Sequence, residues 1–316
     1  MIKDIINQEG HIDQIFMIKQ ATKAIGSSGS YYFALTLQDN SGTLEARKWG
    51  IDDNDLLIIQ PGELIRVDGM MQNYKGHPQL KINSIDAVDD SQIDLTKYIP
   101  SAPCNIDKMK TKLDEFIEMI EDKDLHDLTY NLIHENYENY TKYPAAVTVH
   151  HAYLSGLLFH SLSICAMALK VQEQYKYLQK DYLIAGSLLH DIGKTKELSG
   201  FKAVNYTTEG NLIGHIAMGA MMVHEKGSEM KIDDEKLAVL THMILAHHGK
   251  LEFGSPKTPM TAEAFVLHTL DELDSKLELL RSTYTTTDEG DFTGKIVWLD
   301  SSNFFKPHKL DEENEK

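Results

Sequence analysis

YLIAGSLLHDIGK, residues 182–194, is the stretch from which the fold is read. Tyr182 to Leu189 is apolar on every side, the pattern of a helix buried all round. The run ends in His190-Asp191, and Gly193 then breaks it. An imidazole and a carboxylate side by side at a helix end, where the backbone no longer dictates direction, can converge on one cation.

Outward from this stretch the same device recurs. Upstream, Ala152 to Lys170 draws a helical stripe through Leu154, Leu157, Leu158, Cys165 and Ala168 that encloses His160. Downstream, His215 opens a helix after Gly214, and the apolar run Leu237 to Leu245 ends in His247-His248 before Gly249. Ala264 to Leu279 places Asp271 on a further helix, with Leu267, Leu270 and Asp274. A single histidine on an apolar face is more often a satisfied core residue. The series His160, His190-Asp191, His215, His247-His248, Asp271, one cluster to a helix or helix pair, instead suits a common centre in a bundle. Ten of the 15 histidines fall between residues 150 and 271.

The helical spacing begins near Asp107, with Met109, Leu113, Phe116 and Ile117, so residues 107–282 are expected to form an all-helical domain. Residues 1–90 read differently. Tyr31 to Gln38 alternates, Asp39-Asn40-Ser41-Gly42 is a turn, and Thr43 to Trp49 resumes the alternation. Strands at Glu63 to Met71 and Gln79 to Ile85 follow Pro61-Gly62 and Gly76-His77-Pro78, with a helical stretch near Asp52 to Ile59. Five short strands from about Ile15 to Val88 suit a small barrel. Residues 91–106 hold Pro100 and Pro103 and read as a linker, and 283–316 as an extension with a β-like segment at Lys295 to Leu299 and an acidic tail. The fold class expected is therefore multidomain α and β, a small β-barrel followed by a helical domain.

With 48 acidic against 31 basic residues and a formal charge of −17, the balance argues against a general nucleic-acid coat protein, because bulk phosphate binding needs a basic face. It does not argue against a cation-dependent enzyme on phosphate substrates. No apolar run approaches a membrane span and no signal run opens the chain, so a cytoplasmic protein without membrane contact is expected. Cys104 and Cys165 make no disulfide framework, and both are expected to pack as small apolar residues.

The ordered histidines and aspartates, with HDIGK, resemble the signature of the HD superfamily of metal-dependent phosphohydrolases. His215 with His247-His248 resembles the branch that holds two metals. The resemblance implies a binuclear centre, most simply of Mn²⁺ or another transition ion, with Asp191 bridging. His160, His190 and Asp271 would hold one ion, and His215, His247 and His248 the other. Lys194 would contact a phosphate oxygen, His150 and His151 would line the substrate mouth, His268 would support a ligand, and His242 would be structural. Some relatives carry a Glu one turn before the first histidine; here Gly156 stands there.

The barrel segment resembles OB-fold nucleic-acid-binding modules at Leu37-Gln38-Asp39-Asn40-Ser41-Gly42. That implies a single-strand face from Tyr31, Phe33, Arg47, Trp49, Tyr74 and Lys75, of which Phe33 and Trp49 are the residues most expected in the core. Both domains together resemble the YhaM-type 3′-to-5′ exoribonucleases. Implied are catalysis with Asp191 and Lys194, release of nucleoside 5′-monophosphates, and single-stranded RNA as partner, with single-stranded DNA and a homo-oligomer left open. A nucleotide phosphohydrolase and a non-enzymatic, replication-associated single-strand DNA-binding protein are the rival readings.

Overall fold

The computed structural model describes residues 1–27, 29–91, 93–147 and 151–310. After a short helix α1 (Ile2–Ile5), the strands β1 (Gly10–Ile25), β2 (Tyr31–Asp39), β3 (Gly42–Trp49), β4 (Leu64–Tyr74) and β5 (His77–Ala87) close a barrel in the order β1-β2-β3-β5-β4. Closure depends on β1. Its first half pairs antiparallel with β4 and its second half with β2, and a register shift between Ile18 and Gln20 bends it from one neighbour to the other. β1 therefore starts earlier than the alternation alone suggests.

Period-two alternation fills the barrel. Phe33, Leu35 and Leu37 of β2 point inward beside Leu44 and Ala46 of β3, Ile65 and Val67 of β4, and Leu80 and Ile82 of β5. Ile2 and Ile5 of α1 join the same core. Asp39, in the turn motif, is buried and accepts from the backbone N–H of Ile2 and of Ser41, both at 2.7 Å, so it ties the chain start to the β2–β3 hairpin. Lys48 faces inward by parity. It is buried against Asp55 at 3.2 Å, and Asp55 also closes the capping box of α2 (Asp53–Ile58).

The helices that follow are α3 (Ile106–Glu118), α4 (Lys123–Glu135), α5 (Tyr137–Lys142), α6 (Gly156–Gln174), α7 (Lys180–Leu189), α8 (Lys194–Glu197), α9 (Thr208–Ile213), α10 (His215–Glu229), α11 (Asp234–Ala246) and α12 (Ala262–Tyr284). α7 packs against α4, α6, α11 and α12. Its Leu183, Ile184, Ala185, Leu188 and Leu189 are wholly buried; each such Leu or Ile contributes about 1.5–3 kcal/mol of burial. Among the described residues no helix is long and apolar enough to cross a membrane.

Two compact units emerge: Met1–Pro103 with Ser199–Asn205, and Cys104–Leu198 with Tyr206–Lys316. The short segment 199–205, inside the stretch read as wholly helical, thus belongs to the first unit. Two expectations are corrected. Val297–Leu299 is a 3₁₀ turn, not a strand: the pairings around it among the described residues are the isolated bridges Ile296–Ser302 and Phe292–Phe305. Cys104 is exposed, whereas Cys165 is buried in α6 as expected.

Candidate metal centre

Five of the seven ligand candidates stand at helix ends, and two lie within helices. His160 lies within α6, His190 caps α7 with Asp191 just beyond, His215 opens α10, His247 caps α11 with His248 next, and Asp271 lies in α12. The turn after Asp191 fits only because residue 193 is glycine: a Cβ there would sit 2.1 Å from the His215 carbonyl oxygen. Close approach of this loop to the start of α10 brings Asp191 and His215 together. Gly156 is similarly pinned, since a Cβ would lie 2.0 Å from the His151 carbonyl oxygen. The position that carries Glu in some HD relatives has no room for a side chain here.

The five imidazoles share one device. His190 Nδ1–H donates to the Ser187 carbonyl at 2.9 Å, His247 Nδ1–H to Ile244 at 2.6 Å, and His248 Nδ1–H to Phe253 at 2.8 Å. His160 Nδ1–H donates to Asp274 at 2.7 Å, and His215 Nδ1–H to Glu197 at 3.1 Å. A proton fixed on Nδ1 leaves Nε2 as the atom turned to the centre.

Those Nε2 atoms gather about Asp191 in two groups. Beside Oδ2 stand His190 at 3.3 Å and His160 at 3.8 Å, with His160 also 3.1 Å from Asp271. Beside Oδ1 stand His215 and His247, each at 3.6 Å, and His248 completes a cluster with them. Asp191 Oδ1, His215 Nε2 and His247 Nε2 are buried without a hydrogen-bond partner in the protein. Buried lone pairs facing one another at this range are costly, and a cation between them removes the cost. The residues present fit divalent metal ions.

The electrostatics agree. Burial opposes ionisation of Asp191, but the Lys194 ammonium at 2.6 Å, with His190 and His215, holds its pKa well below the usual carboxylate range. Asp271 is likewise held low, against burial, by its hydrogen bond to His160. Burial also works against protonation of His160, yet Asp271 and Asp274 raise its pKa to about 9. His247 goes the other way: burial and the neighbouring His248 keep it neutral.

Lys194 is buried on Asp191, not a solvated loop residue. His151 lines no mouth. It is buried behind His160, with Nε2 2.8 Å from Asp274 and Nδ1 2.7 Å from the Tyr153 hydroxyl. His150 lies outside the described residues. His268 donates to the His247 carbonyl at 3.1 Å, behind a ligand, and His242 accepts from the Met260 backbone. Sequence reading gave no role to Asp274, which takes His160, His151 and, at 2.5 Å, Ser163, or to Glu197, which takes both the N–H and the ring of His215. Their spacing was the available signal: Asp274 follows Asp271, and Glu197 follows Lys194, by one helical turn. A cleft of ≈ 170 Å³ reaches the centre, lined by Asp191, Lys194, His248 and Asp271, and also by Phe253, His268, Glu272 and Ser275.

On the barrel, pairing decides which aromatics face out. Tyr32 lies opposite Trp49, and Ala34 opposite Arg47. Tyr32 and Trp49 stack at 4.4 Å, and the Arg47 guanidinium lies 5.3 Å from the Tyr32 and Tyr74 rings. Trp49 is 37% exposed, against the expectation of burial, because its parity is that of Tyr32. Phe33 is core and leaves the candidate face. Tyr31, Tyr74 and Lys75 are exposed; Lys75 Nζ lies 5.4 Å from the Tyr74 ring centroid, and Lys23 Nζ 4.8 Å from that of Tyr31. Tyr32, not named from sequence, joins the face.

Residues 157–276 match the HD domain family. An OB-like barrel followed by a helical unit built around this His/Asp centre makes the chain an HD-domain protein. Over 297 residues it is 35% identical to the 3′-5′ exoribonuclease YhaM of Bacillus subtilis, covering 94% of this chain and 95% of that protein. The same enzyme of Bacillus licheniformis is 36% identical over the same coverage. The chain belongs to the YhaM family. Among solved structures, the second OB-fold domain of replication protein A from Methanococcus maripaludis matches 27% of this chain and 89% of its own, at 16% identity and a TM-score of 0.22.

Proposed function

We propose that this protein is a metal-dependent 3′-to-5′ exoribonuclease that releases nucleoside 5′-monophosphates from single-stranded RNA. The observation that carries the proposal is the convergence of buried, unpartnered Asp191 Oδ1, His215 Nε2 and His247 Nε2 on one point. Family membership supplies the substrate class.

His160, His190 and Asp271 would hold one ion and His215, His247 and His248 a second, with Asp191 serving both. An imidazole-rich set favours Mn²⁺ or another transition ion over Mg²⁺. Two such ions, when bound, lower the pKa of a water and neutralise the charge of a scissile phosphate. The chain's own work is positional. Five Nδ1–H bonds hold the imidazoles in one tautomer and one orientation. Lys194 places a cation beside Asp191, within reach of a phosphate oxygen. No side-chain nucleophile is needed. On the barrel, Tyr32, Trp49 and Tyr74 offer ring faces and Arg47 a charge to a single strand. Nothing in that face commits it to a 2′-hydroxyl, so single-stranded DNA is a second substrate to assay.

With 5′-labelled single-stranded RNA and Mn²⁺, the wild-type protein should give a ladder shortening from the 3′ end. Asp191→Ala should give none while melting as a folded protein, and free nucleoside triphosphates should not be consumed. Activity retained by the pure variant would reject the proposal.

A further inference from the structure

We infer that Phe253 seats the nucleobase of the RNA's 3′-terminal residue, an inference that rests on the exoribonuclease reading above. Phe253 ends the short turn Leu251–Phe253 after α11. Its carbonyl accepts from His248 Nδ1 at 2.8 Å, so a ligand candidate and the backbone carrying this ring are held at fixed separation. The ring is 52% exposed, yet it lines the same cleft as Asp191, Lys194 and Asp271. Lys250 Nζ stands 5.0 Å from its centroid, and among the described residues no aromatic ring stacks on it. A flat apolar surface is thus presented to solvent beside the charged centre.

Size and charge say what lies on it. At ≈ 170 Å³ the cleft is well below the roughly 300–1,000 Å³ of pockets that enclose a drug-sized molecule, and suits the end of a strand better than a strand passing through. Glu272, which also lines it, disfavours a phosphate there, whereas the Lys194 ammonium beside Asp191 favours one. The scissile phosphate therefore belongs at the centre and the uncharged base at Phe253. Stacking accepts every base, as removal of successive residues requires.

The test uses two 5′-labelled RNAs that differ only in an abasic 3′-terminal residue, with removal of that residue timed in Mn²⁺. Wild type should prefer the intact end by about 5- to 150-fold in kcat/KM, the range of one base–aromatic stack. Phe253→Ala should lose the preference and Phe253→Trp keep it, with Mn²⁺ affinity by calorimetry as in wild type for both. Should the alanine variant not fold, Phe253→Leu takes its place and should also lose the preference. No preference in wild type, or one that survives in a folded Phe253→Ala or Phe253→Leu, overturns the inference and leaves the exoribonuclease reading standing. If wild type trims neither RNA, the exoribonuclease reading fails and takes the inference with it.

Discussion

Asp274 shows how much of the centre depends on a residue that faces it from behind. Its carboxylate fixes the His160 ring through Nδ1 and takes His151 and Ser163 as well. Asp274→Asn should lower Mn²⁺ affinity by about 10- to 100-fold, the usual cost of removing such a partner; calorimetry showing unchanged affinity would deny it that role. His160 makes the pH dependence explicit. Its pKa is raised from 6.5 to about 9, so without a cation its contribution to stability is complete below pH 6.5 and is lost as pH rises through about 9. A cation on Nε2 must displace that proton, so Mn²⁺ affinity should rise from pH 7 towards 9, with proton release detected by titration in buffers of different ionisation enthalpy. A flat profile would remove His160 from the ligand set.

At the scale of elements, the centre is an assembly of helix ends. α7 and α11 stop at their histidines, α10 begins at one, and the His-Asp-Ile-Gly turn passes within contact of α10. Gly193→Ala would drive a Cβ into the His215 carbonyl. That overpacking should cost about 1–3 kcal/mol and, by moving α10, weaken metal binding through His215; a melting temperature and affinity equal to wild type would show that the contact can relax. Asp271 was legible because it follows Leu267 and Leu270 on an apolar stripe. The β-like reading of Lys295 to Leu299 failed because apolar residues make a strand only where a partner strand lies alongside, and here among the described residues there are only the isolated bridges Phe292–Phe305 and Ile296–Ser302.

Across the whole molecule, the barrel and the helical unit each carry their own core. Among the described residues, the histidine clusters lie in the helical unit alone. Chelation should therefore lower the unfolding midpoint of the helical unit and leave the barrel's in place, since a ligand stabilises only the fold it binds. Scanning calorimetry of the full chain with and without chelator reads this directly. A barrel transition that moves equally would mean that the two units unfold together.

The sequence by itself determined the two kinds of unit and the order of the histidines and aspartates, because period and helix-breaking glycines are local properties of a chain. Of the two face residues it marked as most expected in the core, Phe33 is buried and Trp49 is not. Tertiary structure decided what depends on partners remote in sequence: that Tyr32, not Phe33, shares a face with Trp49, because cross-strand register sets it, and that His151 faces Asp274 rather than a substrate. Above all, the sequence could name the ligand candidates, but only the packing of α6, α7, α10, α11 and α12 divides their nitrogens between the two oxygens of one carboxylate.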